Sequence, residues 1–124
     1  MARDTRTSLI LGYAATLFAV GLLFLIAPSS GAAIFALPAK AGETLRFINL
    51  LGFRDLGLSA GLAVLALQAD RRAVGLLLGA SAIIPLCDVG FILSQAGFRA
   101  GPLALHAGSG ACLAGLSAWS LREP

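Results

Sequence analysis

The sequence predicts an all-α integral membrane protein, a four-transmembrane-helix bundle with a short interfacial segment between its first two spans. Three observations lead there. Apolar residues make up 58% of the 124 residues and charged residues only 12%, whereas soluble domains carry about 25% charged residues. The mean hydropathy is +0.90. The apolar residues gather in four runs, each near the ~20 residues that a helix needs to cross the hydrocarbon layer. Basic residues stand mostly at the ends of those runs, where helix ends meet a membrane surface. A water-soluble chain this short would lack the charges to cover its surface; lipid lets apolar side chains face outward. The length corresponds to one domain, residues 1–124.

The first run covers 8–27 and stops at Pro28. It exceeds the ~7–15 residues of a signal-peptide core, so it is read as a span rather than a cleaved leader. The connection that follows is the longest. Its middle, 32–37, is apolar but too short to cross, and is expected to lie at the interface as a short helix or cap. The second run, 44–69, stops at Asp70, Arg71 and Arg72; the third, 73–96, at Gly97, Phe98 and Arg99; the fourth, 102–121, at Arg122 and Glu123. Period-two alternation is absent, and Ala, Leu and Gly dominate, which excludes strands. Tight connections make the last three spans sequential antiparallel neighbours. Pro85, in the middle of the third, bends that helix and frees a carbonyl.

Flanking charge sets orientation. Arg3, Arg6, Arg71, Arg72 and Arg122 fall on one side, Lys40, Arg46 and Arg99 on the other. Five against three places both termini in the cytoplasm of a multi-pass cell-membrane protein. Small residues at helical spacing, Gly57/Gly61, Gly75/Gly79 and Gly108/Ala111/Gly115, give faces on which helices approach closely, and the first two suit pairing with a second copy of the chain. Cys87 and Cys112 lie inside apolar runs and read as small buried residues. The net charge of +3 is too weak and scattered for nucleic acid. There is no phosphate loop, no haem motif and no metal-ligand spacing, and the chain has one histidine; no cofactor and no metal are expected.

Arg54 and Asp55 in the second run, Asp88 in the third and His106 in the fourth break the apolar pattern, with Asn49 as a polar companion. An ionisable group inside a span costs ~2.5–3.5 kcal/mol on insertion scales, so such groups are rare and normally face the bundle interior. The second span is centred near Gly57 and the third near Pro85, and the two run in opposite directions. Arg54, Asp55 and Asp88 therefore fall at the same outward level, within about 5 Å at ~1.5 Å per residue. His106 falls slightly above them. Neighbours on a helix point ~100° apart, so Arg54 is expected to pair with Asp88, and Asp55 with His106, Asn49 or Tyr13. Tyr13, toward the inner half, is the weakest of those partners.

The string Gly52-Phe53-Arg54-Asp55-Leu56-Gly57-Leu58, with the segment between Pro28 and Pro38, Asp88 and His106, resembles a family of small four-helix membrane proteins, domain of unknown function 4267, with DoxX-like relatives. The resemblance covers most of the chain. It implies the four-helix fold and a shared site for Arg54, Asp55 and Asp88, and carries no established activity.

Two function classes follow. In the first, Arg54, Asp55 and Asp88 are catalytic and Asn49 and His106 binding, in a cofactor-free acid–base enzyme acting on a lipophilic small molecule by epoxide opening, isomerisation or cyclisation. One carboxylate, kept protonated by burial, gives a proton while the other activates water or a hydroxyl. Such an Asp-Arg-Asp set resembles the chemistry of limonene-type epoxide hydrolases, on an unrelated fold. In the second, the same residues lock the bundle, and the chain is a structural, partner-binding or solute-conducting module whose buried pair only specifies register.

Overall fold

The computed structural model describes residues 4–38, 42–68 and 70–122, almost all of them helical. The chain order is α1 (Thr5–Ile26), α2 (Pro28–Ile34), α3 (Gly42–Leu67), α4 (Arg71–Ser81), α5 (Ile83–Ala96) and α6 (Ala100–Arg122). Three stretches are long and apolar enough to cross a membrane: α1, α3, and α4 together with α5. Only 22–28% of the residues in their most apolar windows are buried inside the fold. Phe18, Ile26, Leu50, Phe53, Ile83 and Leu86 therefore face outward. An all-α fold with such outward faces is that of a membrane protein. α6 has 23 residues but is not among these stretches; its glycines, serines and His106 lower its mean hydropathy.

Local chemistry sets the ends. Asp4 caps α1, its carboxylate accepting from the Thr7 N–H at 2.6 Å, and this starts the helix three residues before the apolar run. Asp70 caps α4 in the same way through the Ala73 N–H at 2.9 Å. Asp4 also lies 3.2 Å from Arg6 and 3.8 Å from Arg71, tying the starts of α1 and α4 together. Arg6, expected at the membrane surface, is buried in this corner. α4 and α5 meet at Ala82. Pro85 explains the break: it has no N–H for the Ser81 carbonyl, and its ring crowds that carbonyl.

The expected 32–37 cap is α2 and its terminal turn. Leu37 N–H donates to Ala32 O at 2.9 Å and Ala36 N–H to Ala33 O at 3.0 Å, closing a Schellman motif. Ala36 stands at φ 55°, where glycine is usual. The turn buries Ala32 and Phe35 against Phe24 and Ile48.

Two tight pairs build the bundle, α1 with α3 and α4–α5 with α6. The sequence made α3 and α4 neighbours; in the structure α3 packs chiefly on α1. A Cβ on Gly52 would stand 2.8 Å from the Gly21 carbonyl oxygen, and one on Gly21 would stand 3.0 Å from that of Gly52. This contact was not foreseen. Gly75 and Gly79, read as a face for a second copy, are covered within the chain by Ser120, Leu121 and Ser117 of α6. Ser117 Oγ donates to the Gly75 carbonyl there at 2.7 Å. A Cβ on Gly57 would meet nothing. Cys87 and Cys112 are free and exposed rather than buried.

Candidate functional site

The two pairs converge at the end where Asp4 and Asp70 cap α1 and α4, and part toward α2. Leu62, Leu78, Val74 and Leu113 fill the closed half with a dry core. Above it, α3 and α5 make no close backbone approach and α1 meets α6 at few points. The space between is a cavity of about 480 Å³ lined by all six helices, within the ~300–1,000 Å³ range of small-molecule sites.

Arg54, Asp55, Asp88 and His106 all line it, as does Tyr13; Asn49 does not. The expected pairing differs. Arg54 turns back on its neighbour, its Nε donating to Asp55 Oδ1 at 2.8 Å. The long arginine stem can fold along its own helix, which the 100° rule for side-chain roots does not forbid. Asp55 is buried at the centre while a third of Arg54 stays exposed. Arg54 makes no other hydrogen bond to the described residues, so its terminal nitrogens are available. Asp88 is paired with His106 instead, Oδ2 to Nδ1 at 3.2 Å. The Arg54–Asp88 pair is thus not formed, and Asp55 takes neither His106, Asn49 nor Tyr13 as its partner.

His106 is the most constrained of the four. It is 8% exposed and its Nε2 is buried without a hydrogen-bond partner. The Phe35 ring lies on it, 4.8 Å between centroids, and Phe24 lies 5.9 Å from Phe35. The α2 turn therefore packs directly on the imidazole. Asn49 Oδ1 is likewise buried without a partner, away from the cavity lining.

Sequence reasoning ranked Tyr13 last, yet its hydroxyl meets Ser109 Oγ at 2.9 Å across the α1–α6 gap. Ser109 stands one turn from His106, which was its only signal. Phe35 lay in the segment read as an interfacial cap, with nothing to show that it covers a histidine. The exposed lining residues are Thr16 on α1 and Ala104, Leu105, Gly108 and Cys112 on α6. They place the cavity mouth between α1 and α6, with the Tyr13–Ser109 contact at the lip away from α2. Among the described residues no group of three His, Cys, Asp or Glu gathers that could hold a metal ion.

Chemically, the cavity sets an arginine–carboxylate pair opposite a carboxylate–imidazole pair within apolar walls. A carboxylate at Nδ1 orients the ring and favours the proton on that nitrogen. The Nε2 lone pair is then left to take a proton, and Arg54 can donate hydrogen bonds to an oxygen.

A protein-family profile described as Domain of unknown function (DUF4267) matches residues 14–120. That stretch contains every residue of the cavity lining except Tyr13. No curated protein and no solved structure matches the chain.

Proposed function

The chain belongs to the family of domain of unknown function 4267, and we propose that it is a four-span membrane protein whose cavity takes a lipophilic small molecule from the bilayer and moves protons on it. One observation carries this reading: an imidazole oriented by Asp88 lines a largely apolar cavity, and its buried Nε2 has no hydrogen-bond partner among the described residues. Leaving such a nitrogen unsatisfied costs about 1–3 kcal/mol, and a residue kept only to lock helices would do better apolar.

The roles follow from position. His106 Nε2 is the base, taking a proton from a substrate carbon, hydroxyl or bound water. Asp88 stabilises the imidazolium so formed. Arg54, held by Asp55, steadies the oxygen on which negative charge develops. Returning the proton to a second atom gives isomerisation or cyclisation; delivery of hydroxide from water, with the proton ending on the opened oxygen, gives epoxide hydrolysis. Neither outcome needs a co-reactant beyond water.

α6 serves as the fourth span. At ~1.5 Å per residue its helix is about 34 Å long, enough for a ~30 Å hydrocarbon layer. Its polar residues His106, Ser117 and Ser120 are buried, so the outward face is Leu105, Ala107, Ala111, Ala114 and Trp119. The basic bias puts both termini on the cytoplasmic side, and the cavity then opens in the outer leaflet; reporter fusions at the two ends test this, and an external signal from either would reverse it.

Asp55→Asn and Asp88→Asn test the chemistry. Both keep side-chain shape, so the detergent-solubilised proteins should melt close to wild type while binding or conversion of lipophilic epoxides and alcohols is lost. Variants that melt, bind and convert like wild type would refute the acid–base role. A large loss of stability, restored when both partners of a pair become Leu, would support the lock.

A further inference from the structure

We propose, building on the binding reading above, that the ligand is an uncharged lipophile with a single oxygen function, an alcohol, ketone or epoxide, and not a fatty acid, a phospholipid or an amine. The acidic and basic side chains of the cavity lining are Arg54, Asp55, Asp88 and His106, and each is already engaged by another. Arg54 stands against Asp55 and His106 against Asp88. All four side chains line the one cavity. A carboxylate or phosphate entering this space would meet two carboxylates for one guanidinium already engaged. In a medium of low dielectric constant that repulsion is barely screened. An ammonium would have to give up its water for carboxylates already engaged by Arg54 and His106, so a neutral ligand avoids both penalties.

The polar capacity left over is small and specific. Arg54 offers its terminal N–H donors, and His106, a residue of the wall, has a buried Nε2 with no partner among the described residues. These suit a single oxygen that accepts from the guanidinium and gives or shares a proton with the imidazole. Beyond them the walls are Leu17, Val20, Leu58, Ile84, Leu105 and Leu113, which call for a hydrocarbon body. The mouth between α1 and α6 opens toward acyl chains, so such a molecule arrives dissolved in the bilayer with no charge to desolvate.

The test uses the full chain in phosphatidylcholine nanodiscs with a diazirine-tagged analogue of farnesol as photoprobe. Labelled peptides are mapped by mass spectrometry, and untagged farnesol, ionised farnesoic acid, farnesylamine and the hydrocarbon farnesene compete. The expected label falls near Val20 and Leu105, and farnesol competes about tenfold better than each of the other three, a difference of about 1.4 kcal/mol. Acid or amine competing as well as the alcohol would overturn the neutral-ligand inference while leaving a lipophile-binding cavity. Equal competition by farnesene would overturn recognition of the oxygen. Absence of label from the cavity would overturn this inference and the binding reading together. Arg54→Met with Asp55→Leu should keep the label and lose the preference for alcohol over hydrocarbon; should that protein fail to fold, the wild-type competition decides.

Discussion

The contact between α1 and α3 gives a prediction that can be worked from distances. In Gly52→Ala the new Cβ stands 2.8 Å from the Gly21 carbonyl oxygen and 3.1 Å from both Leu25 Cγ and Phe24 Cβ. A carbon normally approaches a carbonyl oxygen to ~3.3 Å or more, so α1 must retreat by about half an ångström or its backbone must distort. Overpacking of this kind costs about 1–3 kcal/mol. Alanine recovers up to ~1 kcal/mol of helix propensity over glycine, leaving a net loss of up to about 2 kcal/mol. Gly57→Ala lies on the same helix, where the Cβ meets nothing, and should gain about 0.5–1 kcal/mol. The propensity change is common to both variants and cancels in their difference. That difference, about 1–3 kcal/mol in favour of Gly57→Ala, isolates the close approach. Thermal unfolding in detergent followed by circular dichroism, with SDS titration as a second probe, measures it. Two variants that unfold together would refute the packing of α1 on α3 as described.

Other predictions concern the turn over the site, the α1 cap and the inner seam. Ala36→Gly relieves a left-handed alanine at φ 55° and should raise stability by about 0.5–1 kcal/mol, whereas Ala36→Val should lower it; a melting experiment in which Gly is the worse residue would contradict the turn. The N–H of Thr7 holds the Asp4 carboxyl below its ordinary range, helped by Arg6 and Arg71. A depressed carboxylate stabilises fully above its unfolded value and loses that contribution as pH falls through the folded one, so the melting difference between wild type and Asp4→Asn should be constant above about pH 5 and shrink below about pH 4. Asparagine keeps the cap without the charge, and a difference that grows in acid would reverse the sign. Ser117→Ala removes the buried hydrogen bond to the Gly75 carbonyl and should cost about 1 kcal/mol in the same melt.

The apolar runs made the helices legible, because hydropathy over ~20 residues is insensitive to exact ends. The ends themselves came from caps such as Asp4, which lie outside the runs. The break was half legible: Pro85 announced a bend, and the helix parts at Ala82, within one turn of it. Counting residues from each span's centre gave the depth of Arg54, Asp55 and Asp88, and those residues do line one cavity. Azimuth was not legible, and pairing depends on it. Arg54 folds back on Asp55, and Asp88 is left to His106. Glycine spacing did not mark the closest helix contact, for a related reason. Gly57 and Gly61 match a motif but cover little, whereas Gly21 and Gly52, on different helices, match none and touch. Phe35 and Tyr13 became site residues only when the chain folded α2 and α1 around His106.

The proposed chemistry rests on His106, the chain's one histidine, so a protein labelled with ¹⁵N-histidine reports on it without mutagenesis. In nanodiscs its nitrogen shifts should show the proton on Nδ1, beside Asp88, and an unprotonated Nε2. The Nε2 signal should move on adding a neutral lipophilic alcohol or epoxide, and the Nδ1 signal should change in Asp88→Asn. A histidine protonated on Nε2, or signals that stay fixed as the lipophile saturates the bilayer, would contradict an acid–base site in this cavity.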